Sequence, residues 1–127
     1  FAATAAVAET RDVETAAIRA VIASQIEAFR ADDAETAFGF ASPGIRARFG
    51  DAGRFIAMVK SGYGAIYGAT DFSFGRVGGH HGVVLQQVDV VGPDGAAVRA
   101  IYAMEKQPDG SWRIAGCQIV EPEGFDT

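Results

Sequence analysis

A single cysteine, Cys117, stands in the 127-residue chain, so no internal disulfide can form. The same scarcity excludes a C-x-x-C redox pair and a cysteine-rich metal site. Histidine is as scarce: only His80 and His81 occur, side by side. Adjacent residues on a strand point to opposite faces, and a zinc or iron site needs three or more protein ligands, so no metal is expected. Positive charge is in deficit, with 11 basic against 16 acidic side chains and a net charge of −5. The footprint of a general nucleic-acid binder is missing. No apolar run approaches the roughly 20 residues of a membrane span. There is no G-x-x-x-x-G-K-[ST] loop for a nucleoside triphosphate. Ser73 and Ser111 lack the G-x-S-x-G context of a nucleophile elbow. Gly62 to Gly68 reads G-x-G-x-x-x-G after a helical stretch, which is not a dinucleotide fingerprint. No cofactor is expected.

What is present suits one domain with a real core: 49% of residues are apolar and 21% charged. Phe1 to Ala8, FAATAAVA, ends in Ala6-Val7-Ala8, the A-x-A pattern of a signal-peptidase site. Residues 1–8 therefore read as the remnant of a signal peptide and 9–127 as the mature domain, exported to the periplasm. The other reading of this alanine-rich segment is a true N-terminal helix. Charge is uneven along the chain. Arg46, Arg48, Arg54 and Lys60 are opposed only by Asp51, while Glu121, Glu123 and Asp126 make an acidic tail. The basic stretch is either a solvated face or a rim that attracts an anion.

From Val13 to Ala31, the residues Ile18, Ile22, Ile26 and Phe29 form one helical stripe, with Asp12 as N-cap. Asp32-Asp33 then interrupts the pattern. Asp32 and Glu35 have the spacing of a capping box, and Ala34, Ala37, Phe38 and Ala41 resume the helical period. Neighbouring carboxylates at a solvated helix junction gain no acid–base pairing, so the pair reads as the hinge between two helices. Ser42-Pro43 restarts a short helix, and Asp51 opens another carrying Phe55, Met58 and Val59. Gly62, Gly64 and Gly68 read as its exit.

From Asp71 the period changes to that of strands. Phe72, Phe74 and Arg76 alternate with Ser73 and Val77. Gly78 to Gly82 makes a turn, and Val83 to Val91 is β-branched. Gly92-Pro93-Asp94-Gly95 and Gln107-Pro108-Asp109-Gly110 are turns flanking a third strand, and Trp112 to Val120 is the fourth. Short loops imply an antiparallel meander, and helices followed by such a sheet make an α+β domain.

The helical hairpin Ile18–Ala41, with its Ala28-Phe29-x-x-Asp32-Asp33-Ala34 junction, the hairpin end Asp109-Gly110-Ser111-Trp112-Arg113-Ile114, and the spacing between them carry a family likeness. The chain resembles the nuclear transport factor 2, ketosteroid isomerase and SnoaL-like superfamily, and within it the bacterial domain of unknown function 4864. The match runs from about Ile18 to Val120. The resemblance implies a cone-shaped, cystatin-like fold, with about three helices on a curved four-stranded sheet. It also implies a homodimer through the outer sheet face and an interior that holds a small apolar ligand. The isomerase parts do not carry over residue by residue. The first helix has Phe29 where a tyrosine donor would stand. Asp51, the only acid after the second helix, reads as a helix cap. Asp89 is the one sheet residue that can be considered as an acid.

Two functions follow. One is a non-catalytic exported module with Tyr63, Tyr67, Gln87 and Tyr102 as the polar-tipped residues of a ligand pocket. The other is a small cofactor-independent isomerase or dehydratase with Asp89 as base and Tyr102 as donor. They separate on one point, whether Asp89 faces a cavity beside a tyrosine.

Overall fold

A computed structural model describes residues 2–80 and 83–120, with side chains over 13–79 and 83–120. His81 and the acidic tail, 121–127, lie outside the described residues, as does the side chain of His80. Helix α1 spans Ala2–Arg30. Ile18, Ile22, Ile26 and Phe29 form its one buried stripe. Removing each of these from water is worth roughly 1.5–3 kcal/mol. The helix begins upstream of Val13, so Asp12 lies inside it and is not its cap.

The end of α1 explains the two aspartates. Asp33 N–H donates to the Ala28 carbonyl at 2.9 Å and Asp32 N–H to that of Phe29 at 3.0 Å. Asp32 has a φ of 56°. This is a Schellman-type stop with an aspartate in the left-handed position, which Asp and Asn tolerate better than most residues. Asp33 then caps α2 (Ala34–Gly39), accepting from the Thr36 N–H at 3.2 Å and the Thr36 hydroxyl at 2.7 Å. The pair is punctuation, as expected, but the cap is Asp33 with Thr36 instead of Asp32 with Glu35.

Ser42 caps α3 (Pro43–Phe49) and Asp51 caps α4 (Ala52–Gly62), accepting from the Ile45 and Arg54 N–H groups at 3.3 and 2.8 Å. A four-residue turn, α5 (Gly64–Tyr67), follows in the glycine-rich exit. The described residues therefore hold five helical segments where the resemblance implied about three. The short α3 is the helix that Ser42-Pro43 announces, and the four-residue α5, with Ile66 buried, is too short for periodicity to register.

The sheet is a meander, β1 (Asp71–His80), β2 (Val83–Val91), β3 (Ala97–Lys106) and β4 (Trp112–Val120), in the order β1-β2-β3-β4. Gly78 and Gly79 are paired residues of β1, not part of the turn. Each Pro-Asp-Gly loop closes with an i→i+3 hydrogen bond and a glycine at positive φ, Gly95 at 84° and Gly110 at 89°. That is the usual three-residue hairpin geometry. Val88, Val90, Ala100, Tyr102, Met104, Trp112 and Ile114 line the inner face beneath the helices. The whole is an α+β domain consistent with a cone. Among the described residues, no helix is long and apolar enough to cross a membrane.

Two bulges reset which side chains face in. The β1 register shifts between Phe74 and Val77, so Val77 pairs with Gln86. Val77 thus takes the inward parity that simple alternation assigned to Arg76. The β4 register shifts at Ala115: Met104 pairs with Ile114, but Ala103 pairs with Gly116 and Tyr102 with Cys117. The segment joining α2 and α3 is pinned to this strand. Ser42 N–H donates to the Ile114 carbonyl and Ile114 N–H to the Phe40 carbonyl, both at 2.8 Å. This short parallel bridge sets α3 over the β4 side of the inner face.

Candidate functional site

The pinned segment, α4 and the inner face of β3 and β4 enclose a cavity of about 490 Å3. Its walls are mainly apolar, with Phe29, Phe49, Phe55, Met58, Ile66 and Ile114 among them. Exposed Arg48, Ser61 and Gly62 also line it, so its mouth lies between α3 and the end of α4.

Tyr102 and Cys117 form the polar part of the sheet wall. They are directly opposed across β3 and β4, and Tyr102 is 1% exposed. The two side chains lie close enough for each to shift the other's pKa. Burial first, then the proximity of Cys117 and Tyr63, pushes the Tyr102 hydroxyl well above the ordinary phenol range. Burial pushes the Cys117 thiol up to about 12, and the neighbouring Tyr102 hydroxyl offsets part of the effect. Both groups are neutral at physiological pH. The thiol is the opposite of an activated nucleophile, whose pKa is lowered. Tyr63, at the junction of α4 and α5, donates its hydroxyl to the Cys117 carbonyl at 2.9 Å and ties the helices to β4 beside the cavity.

Tyr63 and Tyr102 are thus brought together on the cavity wall, and Tyr67, Gln87 and Asp89 lie elsewhere. Tyr67 donates its hydroxyl to the Asp32 carboxylate at the α1–α2 junction, and this bond chiefly raises its pKa. Its ring packs on Phe29 at 5.5 Å between centroids, with the Lys60 ammonium 5.2 Å from its centre. Gln87 and Asp89 project from the outer face, because the buried residues of β2 are Gln86, Val88 and Val90. Asp89 accepts from Arg99 Nε at 2.9 Å, its directly opposed partner on β3. Its side chain is 44% exposed. The other acid considered, Asp51, is occupied as the α4 cap.

Sequence reading missed Gln86 and Arg48. Gln86 is fully buried and donates to the carbonyls of Gly75, Arg76 and Gln87 at 3.3, 3.3 and 2.7 Å, holding the β1 bulge. Arg19 of α1 completes this knot, donating to Gln86 Oε1 at 3.1 Å and to the Gly75 carbonyl at 3.2 Å. Parity in β2 was the only signal that distinguished Gln86 from Gln87. Arg48 was visible only as one of a basic run, and the long-range bridge from Ala41 to Ile114 is what brings it to the cavity. Among the described residues, no group of three or more His, Cys, Asp or Glu side chains is arranged to hold a metal ion.

A family model described as "Domain of unknown function (DUF4864)" matches residues 11–127. Comparison with curated proteins and with solved structures returns no match.

Proposed function

The chain belongs to the family described as a domain of unknown function, DUF4864, and from that premise we propose an exported, non-catalytic binding module. In this reading it is of the nuclear transport factor 2-like type, holds a small apolar ligand in its cone and works as a homodimer. One observation carries it: a cavity of about 490 Å3, apolar in its walls, with neutral Tyr102 and Cys117 side chains as polar groups on its sheet wall. That volume falls within the range of small-molecule sites, and a few fixed polar groups in an apolar wall orient a ligand. Groups whose pKa values are driven upward can donate hydrogen bonds but are poor proton acceptors near neutral pH.

The alternative, an isomerase or dehydratase, requires a base at the cavity. Asp89 lies on the opposite side of the sheet and is engaged by Arg99, which argues against it. Export is supported by the family match starting at residue 11, beyond the Ala6-Val7-Ala8 pattern. Dimerisation is supported by the outer face, where Leu85, Ile101 and Ala103 lie beside the Asp89–Arg99 pair. A twofold axis through such a patch lets apolar residues meet apolar residues and each acid face a base.

Native mass spectrometry of the gently purified mature protein tests both parts. The expected result is a dimer carrying a reproducible added mass. A bare monomer contradicts the dimer and the retained ligand together.

A further inference from the structure

The cavity is asymmetric in charge. Among its described lining residues one side chain is basic, Arg48, and none is acidic. Arg48 stands on α3 at the mouth, with its guanidinium 5.8 Å from the centre of the Phe49 ring, which itself lines the cavity. Two other cations of the same stretch have acids nearby. Arg54 is 3.9 Å from Asp51, and Lys60 is 3.9 Å from Asp32. Arg46 has none within ion-pair distance among the described residues, sits 5.8 Å from the centre of the Phe38 ring and does not line the cavity. No acid among the described residues lies within ion-pair distance of Arg48.

Resting on the reading of this cavity as a ligand site, we infer that its ligand is an apolar monocarboxylic acid whose carboxylate is bound by Arg48. The apolar body fills the space between Phe55, Met58 and Ile114. One cation matches one negative charge, and a planar guanidinium matches a carboxylate through two parallel hydrogen bonds. A mouth at the surface leaves the anionic head partly hydrated, so the ligand's charge need not be fully desolvated. The same geometry disfavours a dianion or a polyphosphate, for which a single arginine is too little charge.

The test is calorimetric titration of the full chain with octanoate and with octan-1-ol, which share a chain length and differ in charge. Arg48→Gln and Arg48→Lys are titrated alongside, with circular dichroism confirming that each folds. Octanoate is expected to bind the wild type roughly tenfold more tightly than Arg48→Gln, with octan-1-ol unchanged between them. Arg48→Lys should recover part of the loss, since it keeps the charge but not the fork, and added salt should weaken octanoate alone. Equal binding of acid and alcohol, unaffected by Arg48→Gln, overturns the carboxylate and leaves the apolar site standing. Failure of both probes to bind overturns the site itself, and the inference with it.

Discussion

Tyr102 and Cys117 oppose each other across β3 and β4, and both face the cavity. Their pairing exists because β4 carries an extra residue at Ala115. Without that bulge, strict alternation from Trp112 and Ile114 would turn position 117 outward. Tyr102→Phe removes the hydroxyl while keeping the ring. A neutral hydrogen bond contributes about 0.5–1.5 kcal/mol, so affinity for a cavity ligand is expected to fall roughly two- to tenfold. Calorimetric titration with octan-1-ol measures it, and an unchanged affinity would show that the hydroxyl takes no part.

The same pair sets an alkaline limit on stability. Cys117 is raised from an ordinary value of 9.0 to about 12, so the folded state holds this proton more tightly than the unfolded chain. Its contribution is fully present below about pH 9 and declines as pH rises toward 12. Tyr102 acts in the same direction from about pH 10 upward. Urea unfolding at successive pH values should show stability decreasing above pH 9. Cys117→Ala should postpone the decline to the range above about pH 10, where Tyr102 and Tyr67 titrate.

At the α1–α2 junction, Asp33→Ala removes a helix cap and should cost about 1 kcal/mol in urea unfolding. Asp32→Gly gives the left-handed position a residue suited to it but loses the Tyr67 contact. The opposing effects leave a net change expected to be within about 0.5 kcal/mol. A loss from Asp32→Gly larger than that from Asp33→Ala would contradict the reading of these residues as cap and stop.

Gln86→Leu keeps the volume and removes the amide. Arg19 and the carbonyls of Gly75 and Arg76 then lose a partner beside the β1 bulge. Leaving buried polar groups unmatched costs about 1–3 kcal/mol, and thermal or urea unfolding should show a loss of that size. Gln87→Leu, on the outer face, should cost far less.

Much of the fold was legible in local chemistry. The Ile18–Phe29 stripe, the caps Ser42 and Asp51, and the two Pro-Asp-Gly turns are decided by residues within a few positions of one another. The cavity was legible only in part. Tyr102 could be read as an interior residue of β3, but which face Cys117 takes depends on a single-residue bulge in β4 that leaves no mark in composition. The faces of Gln87 and Asp89 were not legible because β2 is regular but apolar on both sides, with Leu85 and Val91 on one face and Val88 and Val90 on the other. Arg48 reaches the mouth through contacts between residues 40–42 and Ile114, more than seventy positions apart, which no local pattern encodes.

The central claim is that the cone is a ligand site. The most direct measurement is a two-dimensional 1H–15N spectrum of the protein during titration with octan-1-ol. The account predicts saturable shifts that cluster on Met58 to Tyr63 of the helical layer and on Ile114 to Cys117 of β4, with Leu85, Asp89 and Arg99 unmoved. Absent shifts, or shifts confined to the outer face of the sheet, would contradict it.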